Sequence, residues 1–575
     1  MVDDAVVVLG SGGAGLRAAL ELKQAGLDVW VVSKGAADAS GATPSGLFSY
    51  CTGNPADPAN SVERFREDVL RSGLTVNDPL LVDAYSRDGY ARLQDLARMG
   101  MPWTRSADGE IARAWLPGHS VNRAFHVDWR TGKAMSTTLL RACVKAGVRF
   151  SQYEMALDLL VEEGKVKGLV MLNWIEGKAF VWNCDAVILA TGGAPAMFRL
   201  HTNPPGQTGD GMAMVLRAGG ELVDMEFMQM YPTALVFPPA AYGMEIATGR
   251  LLAAGGRLFN RHGEEFFQRW EKGPVGQATR DTLARAIARE IAAGGGTDAG
   301  GVYFDGRHVP ELGEQDRHVK FLQDLGVDPA RGVVQVAPGA HYSLGGVRAK
   351  APTSCVGLSG LFAAGEVMGG LHGANRLAGN ALSETQVFGA LAGREAIEYL
   401  KHQLREGGSK DRRGKEPESK KRPAARGESR VWDVLCDARA RTGGEEIGSL
   451  HKALRDVVQE CGGMVRTGAG LEKGLARVRN LRQAFVERLS LPDLSDKWHP
   501  GLLKAAEMAN MLEAAQALLA SALARTESRG AHFRDDHPKM DPGFHGHNFV
   551  VRGEGEKTAV YRLVRDRKER RKVWP

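Results

Sequence analysis

The sequence predicts an α/β fold built on a doubly wound, Rossmann-like sheet, and three observations carry that prediction. A continuous apolar run, AVVVL at Ala5–Leu9, ends in GSGGAG and leads through the helical pattern LRAALELKQAGLDV to a second apolar run at 29–32. A further apolar run, DAVILA at 185–190, closes on Thr191, Gly192 and Gly193. Glycine accounts for 72 of the 575 residues, well above the usual ~7%, so the chain needs many tight turns or close backbone approaches. With 43% apolar residues and this length, the chain has material for several large cores.

Each element follows in order. The first turn puts Gly10, Gly12 and Gly15 in the G-x-G-x-x-G positions between a strand and a helix. The first glycine makes the turn, the second clears space for a pyrophosphate, and the third lets the helix lie on the sheet. At the end of the second strand, where a nicotinamide-type site carries an acidic residue, stand Ser33 and Lys34. Lys34 is compatible with a 2′-phosphate, with a pyrophosphate or with simple exposure. After the 185–190 run come Asn203, Pro204, Pro205, Gly206 and TGDG at 208–211, then an amphipathic helix through Leu216.

Residues 370–382, GLHGANRLAGNAL, set His372, Asn375 and Arg376 among glycines, an arrangement suited to an anion site. The competing reading is a helix start with ordinary caps. Between Arg405 and Arg430, ten Lys or Arg face five Asp or Glu, so most of the chain's +6 charge sits in one apolar-poor segment that reads as a solvated linker. It contains no aromatic residue on which bases stack, which argues against nucleic-acid binding. Residues 505–524 are apolar nearly all round, as in a buried bundle helix. A second basic cluster, RLVRDRKERRK at 562–572, is expected to fray.

Six cysteines, Cys51, Cys143, Cys184, Cys355, Cys436 and Cys461, show no C-x-x-C or C-x-x-C-H spacing. This argues against an iron–sulfur cluster, a haem, another metal site or a disulfide framework on this chain. The first strand begins near residue 5, leaving no room for a signal peptide, and the best apolar stretch, 509–524, is broken by Glu513 and Gln516. The expectation is a cytoplasmic protein that meets a membrane only through a partner.

Taken in order between residues 6 and 532, GSGGAGLRAALE, VSKG, ILATGG, TNPPGQTGDG, MEFMQMYPT, ATRDTLARAI, GAHYSLGG, GLFAAGE, LHGANRLAGNAL and ARTESRGAH resemble the flavoprotein subunits of fumarate reductase and succinate dehydrogenase. That family also includes L-aspartate oxidase. The resemblance implies FAD in the glycine-rich site. It also implies an FAD-binding domain at 1–231 and 339–404, an inserted α+β capping domain at 232–338, the basic linker at 405–430, a helical domain at 431–540 and a C-terminal extension at 541–575.

Interconverting a saturated and an unsaturated carboxylate requires hydride transfer at one carbon, a proton at its neighbour and cationic clamps on the carboxylates. The resemblance makes His341 and Arg376 the substrate-carboxylate ligands and Arg280 the proton donor or acceptor. An arginine is an unusual proton carrier because it is effectively always protonated, so it must be recharged by a relay. Read locally, Arg280 is a surface arginine at a helix start beside Asp281, and His341 a core histidine.

Three departures matter. Relatives that attach FAD covalently use a histidine near the second glycine-rich turn, but residues 33–52 contain none and the first histidine is His119; FAD is therefore expected to be non-covalent. Tyr231 replaces a substrate-contacting histidine, which weakens one clamp. The family's Thr-Glu pair falls either at Met244 and Glu245 or at Thr248 and Gly249, so Thr248 is a candidate substrate ligand and Glu245 the candidate relay. The resemblance further places Gly10, Gly12, Gly13, Ala14 and Gly15 at the pyrophosphate and Ser33 and Lys34 by the adenosine ribose. Thr43, Ser45 and Gly46 fall beside the isoalloxazine and Ala156 near the adenine. Ala190, Thr191 and Gly192 form the second turn, which Asp210 supports. Glu366 falls on the ribityl hydroxyls, while Arg376, Ala381 and Leu382 lie near the ring.

The function implied is hydride transfer between flavin N5 and a carbon of a small carboxylate or dicarboxylate. Electrons would come from an iron–sulfur partner protein, a soluble carrier or a quinone. The alternatives are an L-aspartate oxidase-like enzyme and an FAD-bearing electron-transfer subunit with altered substrate chemistry.

Overall fold

The computed structural model describes residues 5–574 apart from 48, 129, 247, 310–321, 329–331, 351, 407–420, 492–496, 555–556 and 565–568. A seven-stranded sheet runs in the order Ala349–Lys350, Ser354–Cys355, Leu361–Ala363, Ala186–Leu189, Ala5–Leu9, Asp28–Ser33, Arg149–Gln152. Ala5–Leu9 pairs in parallel with both Ala186–Leu189 and Asp28–Ser33. Val6, Val7 and Val8 are fully buried, because the helices Gly13–Gln24 and Asn380–Glu406 and the strands Glu154–Glu162 and Lys165–Asn173 pack against the sheet and leave no solvent side for polar residues. The helix Gly13–Gln24 packs on Asn380–Glu406 at small residues: a Cβ on Gly389 would stand 2.6 Å from the Ala14 carbonyl oxygen.

The capping domain has its own core. Leu235, Ile246, Leu258, Leu283, Phe304 and Val336 belong to a hydrophobic cluster separate from that of the FAD-binding domain. Its sheet is ordered Met228–Phe237, Val333–Ser343, Val302–Asp305, Arg257–Phe259. The expected boundaries at 231/232 and 338/339 fall inside its two longest strands, where Tyr231 pairs with Gly339. A continuous β-ribbon therefore joins the cap to the body.

The C-terminal helices include Ile447–Cys461, Gly468–Arg488 and Pro500–Ala524. Pro500–Ala524 is buried on nearly every side, packed against the other two and against Asp210–Arg217 of the FAD-binding domain.

One expectation is corrected here. The terminal basic cluster does not fray as a whole: His547–Glu554, Lys557–Val564 and Glu569–Trp574 form an antiparallel ribbon that extends a sheet through Glu221–Val223. Phe549, Val550, Val551, Ala559 and Val560, just ahead of the cluster, are buried, and pairing of Tyr561–Val564 with Glu569–Lys572 carries the same ribbon into it. The end of the basic linker is exposed, as a solvated segment is, yet it forms a strand. Residues 407–420 lie outside the described residues, but Lys421–Pro423 pairs with Lys178–Asn183 and the Lys421 ammonium sits 3.9 Å from the Trp182 ring centroid. The aromatic partners lie far away in sequence, where local composition does not reveal them. Among the described residues no helix is long and apolar enough to cross a membrane, and no His, Cys, Asp and Glu cluster is arranged to hold a metal.

Candidate active site

A cleft of about 520 Å³ opens where the strands of the main sheet end and the cap begins. Gly10, Gly12, Gly13 and Ala14 line it at the N-terminus of the helix Gly13–Gln24, where the helix dipole favours an anion. Gly10 has φ +113° and its Cβ position lies 2.2 Å from the Ala190 carbonyl oxygen, so only glycine fits there. The Gly13 N–H donates to Thr43 Oγ1 at 2.9 Å, which ties the turn to the segment carrying Thr43, Ser45 and Gly46, all on the cleft wall. Gly15 does not reach the cleft. A Cβ there would stand 1.9 Å from the Gly10 carbonyl oxygen, so this glycine closes the helix onto the strand end instead of touching a pyrophosphate.

At one end of the cleft, Lys34 ion-pairs with Asp210 at 2.8 Å and with Glu507 at 2.7 Å. Burial works against its charge, yet the two carboxylates raise its pKa above the ordinary lysine value. A lysine so engaged offers little to a 2′-phosphate, and that reading of Lys34 is set aside. Ser33 also lines the cleft, but its hydroxyl donates to the Gly35 carbonyl at 2.6 Å. Ala156, Ala190, Thr191, Gly192 and Asp210 line the same cavity. Glu366 accepts the Ser343 N–H at 2.9 Å, and burial pushes its carboxyl up to about 8. Ala381 and Leu382 complete the wall near Gly46.

At the cap end, four segments bring Arg280, Arg376, His341 and Glu245 onto one stretch of wall. Arg280 begins the helix Arg280–Glu290, with its guanidinium 5.1 Å from the Tyr231 ring centroid. Arg376 is 5% exposed and lies over the Tyr342 ring at 4.3 Å. Its Nη1 donates to the Leu377 carbonyl at 3.3 Å, while its Nε is buried with no hydrogen-bond partner among the described residues. His341 Nδ1 lies 2.7 Å from Thr202 Oγ1, and burial, then Arg280 and Arg376, hold its pKa well below the usual histidine value. The imidazole is therefore neutral. Glu245 Oε2 is 3.9 Å from that same Nδ1, and burial pushes its carboxyl up to about 7 against the opposing pull of the two arginines.

The local chain explains how Glu245 arrives. Pro232 interrupts the ladder of Met228–Phe237, where the register shifts between Tyr231 and Ala234. Residues 243–246 then fold back along that strand: Leu235 N–H donates to Met244 O at 2.8 Å and Ile246 N–H to Thr233 O at 3.3 Å. Thr248 begins the helix Thr248–Ala253, but its side chain lies outside the described residues.

Tyr231 departs from its expected place as a substrate ligand. It is 3% exposed, it does not line the cleft, and its hydroxyl donates to the Ile246 carbonyl at 2.7 Å. In the 370–382 stretch, His372 Nε2 meets Glu384 Oε2 at 2.9 Å and Asn375 accepts from Gln229 Nε2 at 3.1 Å, so both shape the loop that presents Arg376. Sequence reasoning missed Thr202 and Glu507 as members of the site. Thr202 opens the TNPPGQTGDG motif, but its bond to His341 spans 139 positions, and Glu507 is one of three charges, with Lys504 and Glu513, on a helix whose pattern reads as apolar core.

A model described as an FAD binding domain matches residues 5–382, and one described as fumarate reductase flavoprotein C-term matches residues 451–572. A fumarate reductase (CoM/CoB) subunit from Methanothermobacter marburgensis is 36% identical over 542 residues, covering 93% of this chain and 95% of that one. The chain belongs to the fumarate reductase and succinate dehydrogenase flavoprotein family. The fumarate reductase flavoprotein subunit of Escherichia coli is 32% identical over 92% of this chain and 88% of its own length. A quinol-fumarate reductase structure superposes with a TM-score of 0.85 at 30% identity, covering 98% of each chain. Family membership makes this chain an FAD-dependent oxidoreductase acting on CH–CH bonds.

The cleft suits FAD on its own geometry. Gly10 and Gly12 leave a cradle that a Cβ would crowd, and Ser11 Oγ beside it is buried without a partner among the described residues. When bound, FAD supplies the hydride chemistry. The Gly10–Ala14 turn would hold its pyrophosphate and Glu366 its polyol hydroxyls.

Proposed function

We propose that the cap end of the cleft binds a small carboxylate beside non-covalently held FAD and interconverts its saturated and unsaturated forms. Arg376 and His341 hold a substrate carboxylate, the first with a charged fork and the second with a neutral imidazole N–H. Arg280 gives a proton to the substrate carbon next to the one that gains hydride, or takes it in the reverse direction. Glu245 restores the Arg280 proton, since a carboxyl that titrates near neutrality exchanges protons readily with water or substrate-side groups. The observation carrying this reading is the convergence of these four side chains on one stretch of cleft wall, together with an Arg376 Nε that has no partner among the described residues. Electrons reach the flavin from a partner protein, an iron–sulfur protein in the first instance, because the cysteines of this chain lack cluster spacing.

An anaerobic assay tests it, with reduced viologen offered together with fumarate and a panel of unsaturated mono- and dicarboxylates. Arg280→Ala is expected to lower kcat at least ~100-fold on every substrate the wild type turns over. Equal rates for the two proteins would remove Arg280 from the mechanism. Acid precipitation should leave the flavin in the supernatant; flavin retained on the protein would contradict non-covalent binding. Hydrogen peroxide released on adding L-aspartate would favour the amino-dicarboxylate oxidase reading instead.

A further inference from the structure

We propose that Tyr231 is a positioning residue whose hydroxyl and ring together aim Glu245 and Arg280 at one point of the cleft. This inference rests on the reading of Glu245 as the proton relay given above. The hydroxyl donates to the Ile246 carbonyl at 2.7 Å, one residue beyond Glu245. Backbone bonds from Leu235 N–H to Met244 O and from Ile246 N–H to Thr233 O hold the same returning segment on either side of it. Glu245 is thus suspended between anchors on the strand Met228–Phe237, and the phenol supplies an anchor from a side chain.

The ring works on the other partner. The Arg280 guanidinium lies 5.1 Å from the Tyr231 centroid, and the His341 imidazole lies 5.2 Å from it at an interplanar angle of 52°. An aromatic face beneath a guanidinium fixes where the fork points without competing for its N–H donors, which remain available to a substrate. One buried side chain therefore touches Arg280, His341 and the backbone that delivers Glu245. The groups facing Glu245 are Arg280 from the helix Arg280–Glu290, His341 from the strand Val333–Ser343 and Arg376 from the 370–382 loop. A phenol at this position and a relay carboxylate entering from residue 245 are two parts of one arrangement, since the first braces the segment that brings the second.

The test uses the holoenzyme with Tyr231→Phe, Glu245→Gln and the double variant, each checked for flavin content and visible spectrum. Tyr231→Phe keeps the ring and loses the anchor, so it should retain FAD and fold while kcat for carboxylate reduction falls about tenfold, the scale of one hydrogen bond. A released Glu245 reaches water, so the limb of the kcat–pH profile it sets should move to lower pH. The double variant should be no slower than Glu245→Gln alone, as expected of residues acting through one another. A wild-type kcat and pH profile in Tyr231→Phe, or losses that multiply in the double variant, would overturn the positioning role while leaving the relay intact. If Glu245→Gln alone keeps the wild-type rate and profile, the relay reading falls and this inference falls with it.

Discussion

Glu245 shows how burial and charge compete at a single residue. Removing a carboxylate from water disfavours its ionised form, and Arg280 and Arg376 favour it; burial wins, and the group is pushed up to about 7 instead of sitting near the usual carboxylate value. The sign of the pH dependence follows. With Glu245 as the proposed relay, reduction of an unsaturated carboxylate would need it protonated, so kcat should hold below about pH 7 and decline above it, while oxidation in the reverse direction should rise through the same range. In Glu245→Gln both limbs should flatten and kcat should drop by ~10² or more, measured with reduced viologen in one direction and an artificial acceptor in the other. His341 does not blur this profile, because burial and the two arginines keep it neutral throughout.

At the scale of elements, the strand–turn–helix unit at the start of the chain works by the absence of side chains. Gly15 has the Gly10 carbonyl oxygen where its Cβ would be, and Gly13 has Thr385 Oγ1 at 2.8 Å in the same sense. The two contacts differ in kind: a hydroxyl on a side chain turns away, whereas the Gly10 carbonyl belongs to the turn itself. Gly15→Ala should therefore lift the helix from the strand end, costing about 1–3 kcal/mol or more of stability and loosening FAD. Thermal unfolding followed by flavin fluorescence measures both, and an unchanged midpoint with full flavin content would show that the turn adapts. The ribbon of Met228–Phe237 and Val333–Ser343 is the other decisive element, because it carries Tyr231 and His341 from the body into the cap without a loop between them.

Across the whole molecule, a buried charged network joins the FAD-binding domain to the C-terminal segments. Arg525, fully buried, donates to Glu226 at 2.6 Å, to Glu527 at 2.9 Å and to the His547 carbonyl at 3.1 Å. Asp224 accepts from Asn548 of the terminal ribbon at 2.6 Å, and burial and Glu226 push its carboxyl up to about 7 despite Arg525. Arg525→Met should leave Glu226 buried without the guanidinium it pairs with, while Glu527 keeps Arg529, a loss of about 3–5 kcal/mol. With the arginine gone, the Asp224 carboxyl, already pushed up to about 7 by burial and Glu226, loses the guanidinium that opposes the shift and rises further. Its protonated form then favours the fold at low pH, and the penalty grows as pH rises. Denaturant unfolding at pH 5 and pH 7.5 checks this, with the larger deficit expected at the higher pH.

The amino-acid sequence by itself determined the family, the doubly wound FAD-binding domain and the general place of the site. Those signals are contiguous: a glycine turn after an apolar run, ILATGG, GAHYSLGG and LHGANRL each describe a few residues of backbone whose geometry is local. Only the tertiary structure decided the rest. It tied the Tyr231 hydroxyl to Ile246, brought Glu245 to the cleft, engaged Lys34 with Glu507 and paired the basic terminus into a sheet. Each of these depends on which distant group comes to lie opposite and on how much water is excluded between them. Neither quantity is written in local composition, because desolvation and long-range pairing arise only once the chain has closed on itself.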